Sequence, residues 1–221
     1  MYRINKKNAF KTLVFIAALL FLTGSASAQD SRFGIKGGLN LSSLTIDNAD
    51  ENNVLPGFNA GVWSRFMLSD AFAFQPELLY SAKGVKTVYN QDFLGVDLAD
   101  GETKLNLNYL EIPLHFAYYL ANDFNFHVGP YVGVLMNASV ETQAEVLDFI
   151  NIDNAEDLDR SEFNTLDYGI SAGLGFNLDP LIFGFNYSLG LNQVAKDGES
   201  VQDLLGDAKN NNIQVYVGIM F

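Results

Sequence analysis

The sequence predicts an all-β fold: an eight-stranded antiparallel up-and-down transmembrane β-barrel with short periplasmic turns and long extracellular loops. Three observations predict it. Eight runs of residues alternate between apolar and polar side chains, which is the period of a β-strand. The connections between these runs are alternately short and long, as in outer-membrane barrels. The last run keeps its alternation up to Phe221, although chain ends are usually frayed and polar.

Residues 1–28 are predicted to be a signal peptide. Four basic residues accompany an apolar stretch at residues 12–22, and the small residues Ala-Ser-Ala follow at 26–28. The apolar stretch is too short for a transmembrane helix, which needs about 20 residues. We therefore expect cleavage after Ala28, export, and a single outer-membrane β-barrel domain at residues 29–221.

Composition excludes several classes of protein. The chain contains no cysteine, which excludes disulfides, thiolate metal sites and a cysteine nucleophile. Without the four basic residues of the signal peptide, nine of the 13 Lys and Arg residues remain against 26 Asp and Glu residues, a formal charge of −17. Nucleic-acid binding requires a basic surface, so we expect no nucleic-acid partner.

The first four runs predict strands with one apolar and one polar face. They cover residues 32–43, 56–68, 72–84 and 107–120. In the fourth run, for example, Leu110, Ile112 and Leu114 alternate with Glu111 and His115.

The other four runs repeat the pattern with smaller residues on the polar face. They cover residues 124–139, 166–178, 181–193 and 213–221. Glycine, serine and asparagine alternate with large side chains such as Phe183, Phe185 and Tyr187. Eight is an even number of strands, as expected for an antiparallel barrel of this type.

The lengths of the connections orient the barrel. The short ones lie at residues 69–70, 121–123 and 179–180 and predict tight hairpin turns. The long ones lie at residues 44–55, 87–103, 140–162 and 194–211. In outer-membrane barrels the short turns face the periplasm and the long loops face outward.

The volume of the side chains decides which face points outward. The interior of an eight-stranded barrel is only just wide enough for side chains to fill it, so the large apolar side chains must lie outside, against lipid. Aromatic residues near the short turns form an expected interfacial girdle: Phe66, Phe72, Phe74, Tyr118, Phe124, Phe126, Phe176, Phe183, Phe185 and Phe221. Phe221 also resembles the C-terminal signal that barrel-assembly machinery recognises, and we assign it that role.

Several motifs resemble the PorT-like family of outer-membrane β-barrel proteins. They are "FGIKGGLNLSSL", "FQPELLYSAKG", "NYLEIPLHFAYYL", "FHVGPYVGVLMNA", "LDYGISAGLGF" and "VYVGIMF", which span the mature chain in this order. The resemblance implies a small outer-membrane barrel without cofactor or catalytic residues, and a link to protein secretion.

The predicted lumen contains three cations and three anions: Lys36, Arg65, Lys83, Glu77, Glu111 and Asp167. Charges in a narrow barrel must be paired, so a structural network of ion pairs is expected. The alternative is an ion path or a gated pore. His115 and His127 are expected to be diagonal neighbours inside the barrel, with no carboxylate forced close to them, and we predict neither a metal site nor a catalytic base.

The long loops carry most of the acidic residues and two apolar clusters. Phe149 and Ile150 lie in the segment 140–162, and Leu204 and Leu205 lie in 194–211. Apolar residues on exposed loops indicate a folded cap or a partner surface, and these four are the candidates for partner binding. The acidic stretch "NIDNAEDLD" lacks the glycine and spacing of an EF-hand.

We therefore expect a non-enzymatic scaffold or partner-binding protein of the outer membrane, surrounded by lipid. A partner protein of the cell envelope would bind through the loops. A narrow passive pore and a lipid-modifying enzyme are the alternatives.

Overall fold

A computed structural model describes residues 31–45, 54–93, 96–121, 123–146, 150–198 and 200–221. The predicted signal peptide lies outside these residues. The strands are β1 (Ser31–Thr45), β2 (Leu55–Met67), β3 (Phe72–Phe93), β4 (Val96–Ala121), β5 (Phe124–Val146), β6 (Ile150–Asp157), β7 (Leu166–Leu178), β8 (Leu181–Gln193) and β9 (Lys209–Met220). A short 3-10 helix (Arg160–Glu162) precedes β7, and the helix α1 (Ser200–Leu205) precedes β9. No helix among the described residues is long and apolar enough to cross a membrane.

Eight of the nine strands form a closed antiparallel ring. Each is hydrogen-bonded to the next in the order β1, β2, β3, β4, β5, β7, β8, β9, and β9 returns to β1. The closing pair runs from Gly34↔Met220 to Thr45↔Lys209. The eight-stranded barrel is therefore confirmed, and the C-terminal run closes it.

The ninth strand does not enlarge the ring. The first half of β5 pairs with β7, from Phe124↔Phe176 to Val134↔Leu166. Its second half pairs with β6, from Ser139↔Asp157 to Val146↔Ile150. β6 and β7 therefore lie along the same side of β5, at different heights.

The burial pattern is that of a membrane barrel. On β1, Leu39 is 66% exposed while its neighbour Asn40 is completely buried. The same arrangement, with an apolar side chain outside and a polar one inside, recurs in β8, where Phe185 is exposed and Asn186 is buried. Large apolar side chains thus cover the outer wall, and polar side chains fill the interior, as the volume argument predicts.

Aromatic side chains pair across strands near the short turns. Phe72 lies 4.9 Å from Tyr118, Phe124 lies 4.9 Å from Phe176, and Phe33 lies 5.6 Å from Phe221, between ring centroids. Such pairs contribute beyond their buried area. They hold neighbouring strands together at the periplasmic end of the barrel.

Two of the predicted long loops are largely regular hairpins. Residues 87–103 were expected to be a loop, but β3 and β4 remain paired from Lys86↔Lys104 to Phe93↔Val96. Residues 140–162 likewise contain the hairpin of β5 and β6. The prediction missed them because a strand above the membrane has no lipid-facing side, and its sequence therefore lacks the apolar alternation on which the prediction depended.

Candidate functional site: the filled lumen and the extracellular sheet

One buried ion pair occupies the middle of the lumen. The Nζ of Lys36 lies 2.5 Å from Oε2 of Glu77, and it also lies 4.2 Å from the ring centre of Tyr216. The other carboxylate oxygen of Glu77 lies 3.4 Å from Nδ1 of His115. Lys36 and Glu77 come from β1 and β3, which are not adjacent, so the pair crosses the lumen in front of β2.

A second charged cluster lies nearer the extracellular end. Lys83 forms an ion pair with Glu111, and its Nζ lies 3.6 Å from Oδ2 of Asp167. The hydroxyl of Tyr131 donates a hydrogen bond of 3.3 Å to the same Asp167 oxygen. Lys83 thus connects β3 with β4 and β7 across the barrel, and all three charged side chains are buried.

Arg65 does not join either ion-pair cluster. It was expected to take part in the network of ion pairs, but its Nη2 donates a 2.8 Å hydrogen bond to the side-chain oxygen of Asn177. Its guanidinium carbon also lies 5.2 Å from the ring of Trp63 and 5.0 Å from that of Tyr119. The long side chain extends toward the periplasmic end, where an amide oxygen and two aromatic faces stabilise its charge.

The two histidines are neighbours inside the barrel, with ring centroids 4.8 Å apart. Nδ1 of His127 lies 3.0 Å from the side-chain oxygen of Asn125, and Nε2 lies 2.5 Å from that of Asn186. His115 contacts Glu77, a carboxylate that the sequence alone did not force close to the histidines. Among the described residues, no group of three or more His, Asp or Glu side chains could hold a metal ion.

An amide and hydroxyl network joins the first three strands. Nδ2 of Asn40 donates to Oγ of Ser81 at 3.0 Å and to the carbonyl oxygen of Ala82 at 2.8 Å. Nδ2 of Asn59 donates to the side-chain oxygen of Asn40 at 2.8 Å. These bonds fill the lumen between the two charged clusters with small polar groups.

Above the charged clusters, the lumen ends in a layer of buried apolar residues that we call the extracellular cap. It consists of Leu44, Val85, Leu105, Leu107, Tyr109, Leu135, Ala138, Phe163, Val194 and Ala208. These residues come from four strands and from the segments before β7, after β8 and before β9. The cap therefore draws on strands and connections around most of the ring.

Backbone hydrogen bonds fix the segments that contribute to the cap. Val194 N donates to Ala208 O at 2.8 Å, and Asn164 N donates to Val194 O at 2.9 Å. Nη2 of Arg160 donates to the carbonyl oxygen of Leu135 at 2.6 Å. The two connections before β7 and after β8 are thus folded into the mouth of the barrel.

Starting at the level of Val85 and Leu105, which also belong to the cap, four strands continue outward as a sheet that we call the extracellular sheet. It comprises residues 84–93 of β3, 96–106 of β4, 139–146 of β5 and all of β6. Its outward face is charged: Nζ of Lys86 lies 3.2 Å from Glu102, and Glu102 also pairs with Lys104. Nδ2 of Asn106 donates to Glu141 at 3.2 Å. Charged side chains at these positions place this face in water rather than in lipid.

The ion pairs of Glu102 lower the pKa of its carboxyl group. Hydrogen bonds from Lys104 and then from Lys86 hold the pKa of the Glu102 carboxyl below its ordinary value. The carboxylate thus remains charged between two lysines on the surface of the extracellular sheet.

The four loop residues that were candidates for binding a partner lie in different parts of the structure. Phe149 lies outside the described residues, Ile150 begins β6, and Leu204 lies in α1. Leu205 is partly buried and packs against the extracellular cap, together with Val201. Leu205 therefore contributes to the core of the protein itself, which disfavours it as an exposed anchor for a partner.

Phe221 follows directly on β9, at the periplasmic end. Its backbone N–H donates a 2.7 Å hydrogen bond to Phe33 O, and its side chain is 55% exposed on the outer wall. An exposed aromatic at this place is available for recognition before the barrel is embedded in lipid. Its role as an assembly signal stays a prediction.

Sequence reasoning offered a folded cap only as one alternative for the apolar loop residues, and it missed the strand residues that form most of the extracellular cap, although one signal for them exists. Leu105 and Leu107 have the same parity as Glu111 and His115, and therefore point into the lumen. Two leucines on an otherwise polar inner face indicate an apolar layer inside the mouth. The contributions of Phe163 and Val194 have no such signal, because they lie between strands.

The closed ring, its apolar outer wall and its polar interior define an integral membrane β-barrel of the outer-membrane type. Residues 27–196 match the family model described as outer membrane protein beta-barrel domain. The chain belongs to this family of outer-membrane proteins.

Several solved structures are similar to the chain at low sequence identity. Ail of Yersinia pestis shares 12% identity over 87% of this chain and 100% of its own, with a TM-score of 0.43. Neisserial surface protein A shares 13% identity over 86% and 97%, with a TM-score of 0.41. OprG of Pseudomonas aeruginosa shares 16% identity over 87% and 96%, with a TM-score of 0.32. No curated protein matches the chain.

Proposed function

We propose that this protein is a non-enzymatic, non-conducting outer-membrane barrel that binds a partner of the cell envelope through its extracellular sheet. The observation that carries this proposal is the combination of a filled, capped lumen with four strands that continue beyond the membrane. Three arguments support it: the obstructed lumen, the contacts of the two histidines, and the extracellular sheet.

The interior argues against a pore. A permeating ion would have to pass the apolar layer of the extracellular cap and then the ion pairs Lys36–Glu77 and Lys83–Glu111. Hydrophobic constrictions stop ion flow by excluding water. A barrel with both obstacles in series is better suited to be a rigid support than a channel.

The described histidines also support a role without catalysis. A catalytic serine needs a base within hydrogen-bonding distance. The contacts of His127 are the amide oxygens of Asn125 and Asn186, and the hydrogen-bonding contact of His115 is Glu77. These partners suit structural imidazoles.

The extracellular sheet is the part of the described chain best placed to meet another protein. Its strands remain paired by backbone hydrogen bonds above the apolar belt, so its shape does not depend on lipid. Binding residues commonly lie on segments that a rigid scaffold holds outside its core. The resemblance to PorT-like proteins makes protein secretion the first process in which to seek the partner.

The test shortens both hairpins while keeping the barrel. Residues 88–102 and 141–155 are each replaced by Asn-Gly, which favours a tight hairpin turn and keeps the pairs Lys86↔Lys104 and Val140↔Glu156. Cross-linking in intact cells, followed by purification in mild detergent, identifies the proteins bound to the wild type and to this variant.

The shortened barrel should insert, migrate differently before and after boiling, and lose the cross-linked partner. The control Asp70→Asn/Asp123→Asn changes exposed residues at the short-turn end and should keep the partner. A shortened barrel that still cross-links to the same partner would overturn the proposal and place the binding surface on the wall or at the periplasmic end.

A further inference from the structure

The strand β6 has one paired edge and one free edge. It pairs with β5 along its whole length, and no other described strand pairs with it. Residues 154–157 are four consecutive exposed residues, so both faces of the strand are open to solvent there. A free edge presents a row of backbone N–H and C=O groups that can pair with another strand.

The charge of the outward face changes across the extracellular sheet. β3 contributes Lys86, β4 contributes Lys104 and Glu102, β5 contributes Glu141, and β6 contributes Asp157. On the other face of β6, Glu156 supplies a second exposed carboxylate. The free edge is therefore acidic on both faces.

We propose that the free edge of β6 is a docking site for an extended basic segment of a partner protein, which joins the extracellular sheet as a further strand. Addition of a strand to an exposed sheet edge gives affinity through backbone hydrogen bonds and specificity through side chains. Opposite charges on directly opposed positions of neighbouring strands are favourable, so lysine or arginine facing Glu156 and Asp157 would match this edge. The inference rests on the proposed function and names the chemistry of the partner.

Charge also disfavours a second copy of this chain as the occupant. Two β6 edges brought together would oppose carboxylates to carboxylates, and like charges directly opposite are destabilising. The chain as a whole carries a formal charge of −13, which adds repulsion between copies.

A labelled peptide tests the charge requirement. The probe is Thr-Lys-Lys-Val-Thr-Lys-Lys-Val with a fluorescein label, and its anisotropy is measured with the purified full chain in detergent micelles. Its adjacent lysines point to opposite faces of an added strand, as Glu156 and Asp157 do on β6. The comparison probes carry glutamate in place of lysine, or the same lysines with both valines replaced by proline. Only the first probe should bind, and its binding should weaken with added salt because exposed charges are screened.

The matching protein variant is Glu156→Gln/Asp157→Asn. It should bind the basic probe about fivefold more weakly, because two cross-strand charge pairs are lost. The control Asp70→Asn/Asp123→Asn changes the net charge equally at the other end of the barrel and should bind like the wild type. Equal loss in both variants would show attraction by overall charge alone and would overturn the proposal.

A backbone variant tests strand addition itself. Successive residues of a strand direct their N–H groups to opposite edges, so one of the variants Asn154→Pro and Ala155→Pro removes a donor from the free edge while leaving the pairing with β5 intact. Protection of the β5 amides from hydrogen exchange shows which variant that is. This variant should lose the basic probe, whereas unchanged binding would overturn the proposal.

The outcomes separate this inference from the proposed function. If the shortened barrel loses its cross-linked partner but the β6 charge and proline variants keep it, the edge proposal is wrong and the proposed function stands. If the shortened barrel keeps its partner, the proposed function itself is wrong.

Discussion

The Nζ of Lys36 on β1 lies 2.5 Å from Oε2 of Glu77 on β3, and both side chains are buried in the lumen. This contact joins two strands that do not pair with each other. The two opposite charges lie side by side in the lumen, on the path that an ion crossing the barrel would follow.

Replacement of Glu77 by alanine should destabilise the barrel, because it leaves the Lys36 ammonium buried without its partner. Removing one member of a buried ion pair costs about 3–5 kcal/mol. The urea midpoint of unfolding, followed in detergent or liposomes, should fall accordingly.

Two comparisons make the Glu77→Ala result specific. Lys36→Met/Glu77→Met removes both charges and should recover much of the lost stability, since apolar replacement of a buried pair is often neutral. Glu102→Ala breaks a surface ion pair and should change the midpoint little. An unchanged urea midpoint for Glu77→Ala would contradict this prediction. It would mean that a group other than Glu77 compensates the buried charge of Lys36.

The extracellular cap should depend on Phe163, which is 1% exposed. Phe163→Ala leaves a cavity at a cost of about 3–5 kcal/mol. The loss should increase hydrogen exchange in the segments that the cap holds, residues 158–165, 194–198 and 200–208. Phe33→Ala is the control, since Phe33 is 62% exposed on the outer wall. Equal exchange in wild type and Phe163→Ala would contradict the packing role.

The hairpin of β3 and β4 should weaken in acid. The folded pKa of Glu102 is below its unfolded value because Lys104 and Lys86 bind the carboxylate. The stabilisation is therefore present above the unfolded pKa and is lost as the pH falls through the folded pKa. Amide protection factors for residues 84–93 and 96–106, corrected for intrinsic exchange, should fall over this acidic range.

The variant Glu102→Gln identifies the group responsible. Its hairpin should have lower protection at neutral pH and a smaller loss on acidification. If the wild type and this variant respond equally to acid, another carboxylate controls the hairpin.

Phe221 should matter more for assembly in the cell than for the stability of the finished barrel. Phe221→Ala keeps the backbone hydrogen bond to Phe33 O but removes the terminal aromatic ring. Refolding of purified protein into detergent should be nearly unchanged, while the amount of folded protein in the outer membrane should decrease. Equal losses in both measurements would make Phe221 an ordinary structural residue.

The strands within the membrane could be predicted from the sequence because each has one face against lipid and one in the lumen. This constraint fixes the alternation in β8 from Leu181 to Leu191. It disappears beyond the membrane, so the pairing of Lys86 with Lys104 could not be predicted from periodicity.

The sequence predicted which residues face the lumen, but only some of the contacts between them. Parity alone predicted that Lys36, Lys83 and Glu111 face inward. The group that a long side chain contacts depends on the height of that side chain in the barrel. The stagger between strands sets this height. For this reason Arg65 contacts Asn177, which is 112 positions away along the chain, rather than Glu77.

The measurement that tests the central claim most directly is single-channel recording of the pure folded protein in a planar lipid bilayer. The capped and ion-paired lumen predicts no discrete current steps above the baseline at either polarity. Reproducible steps from the wild-type barrel that disappear when the sample is boiled before reconstitution would contradict the account and support a pore.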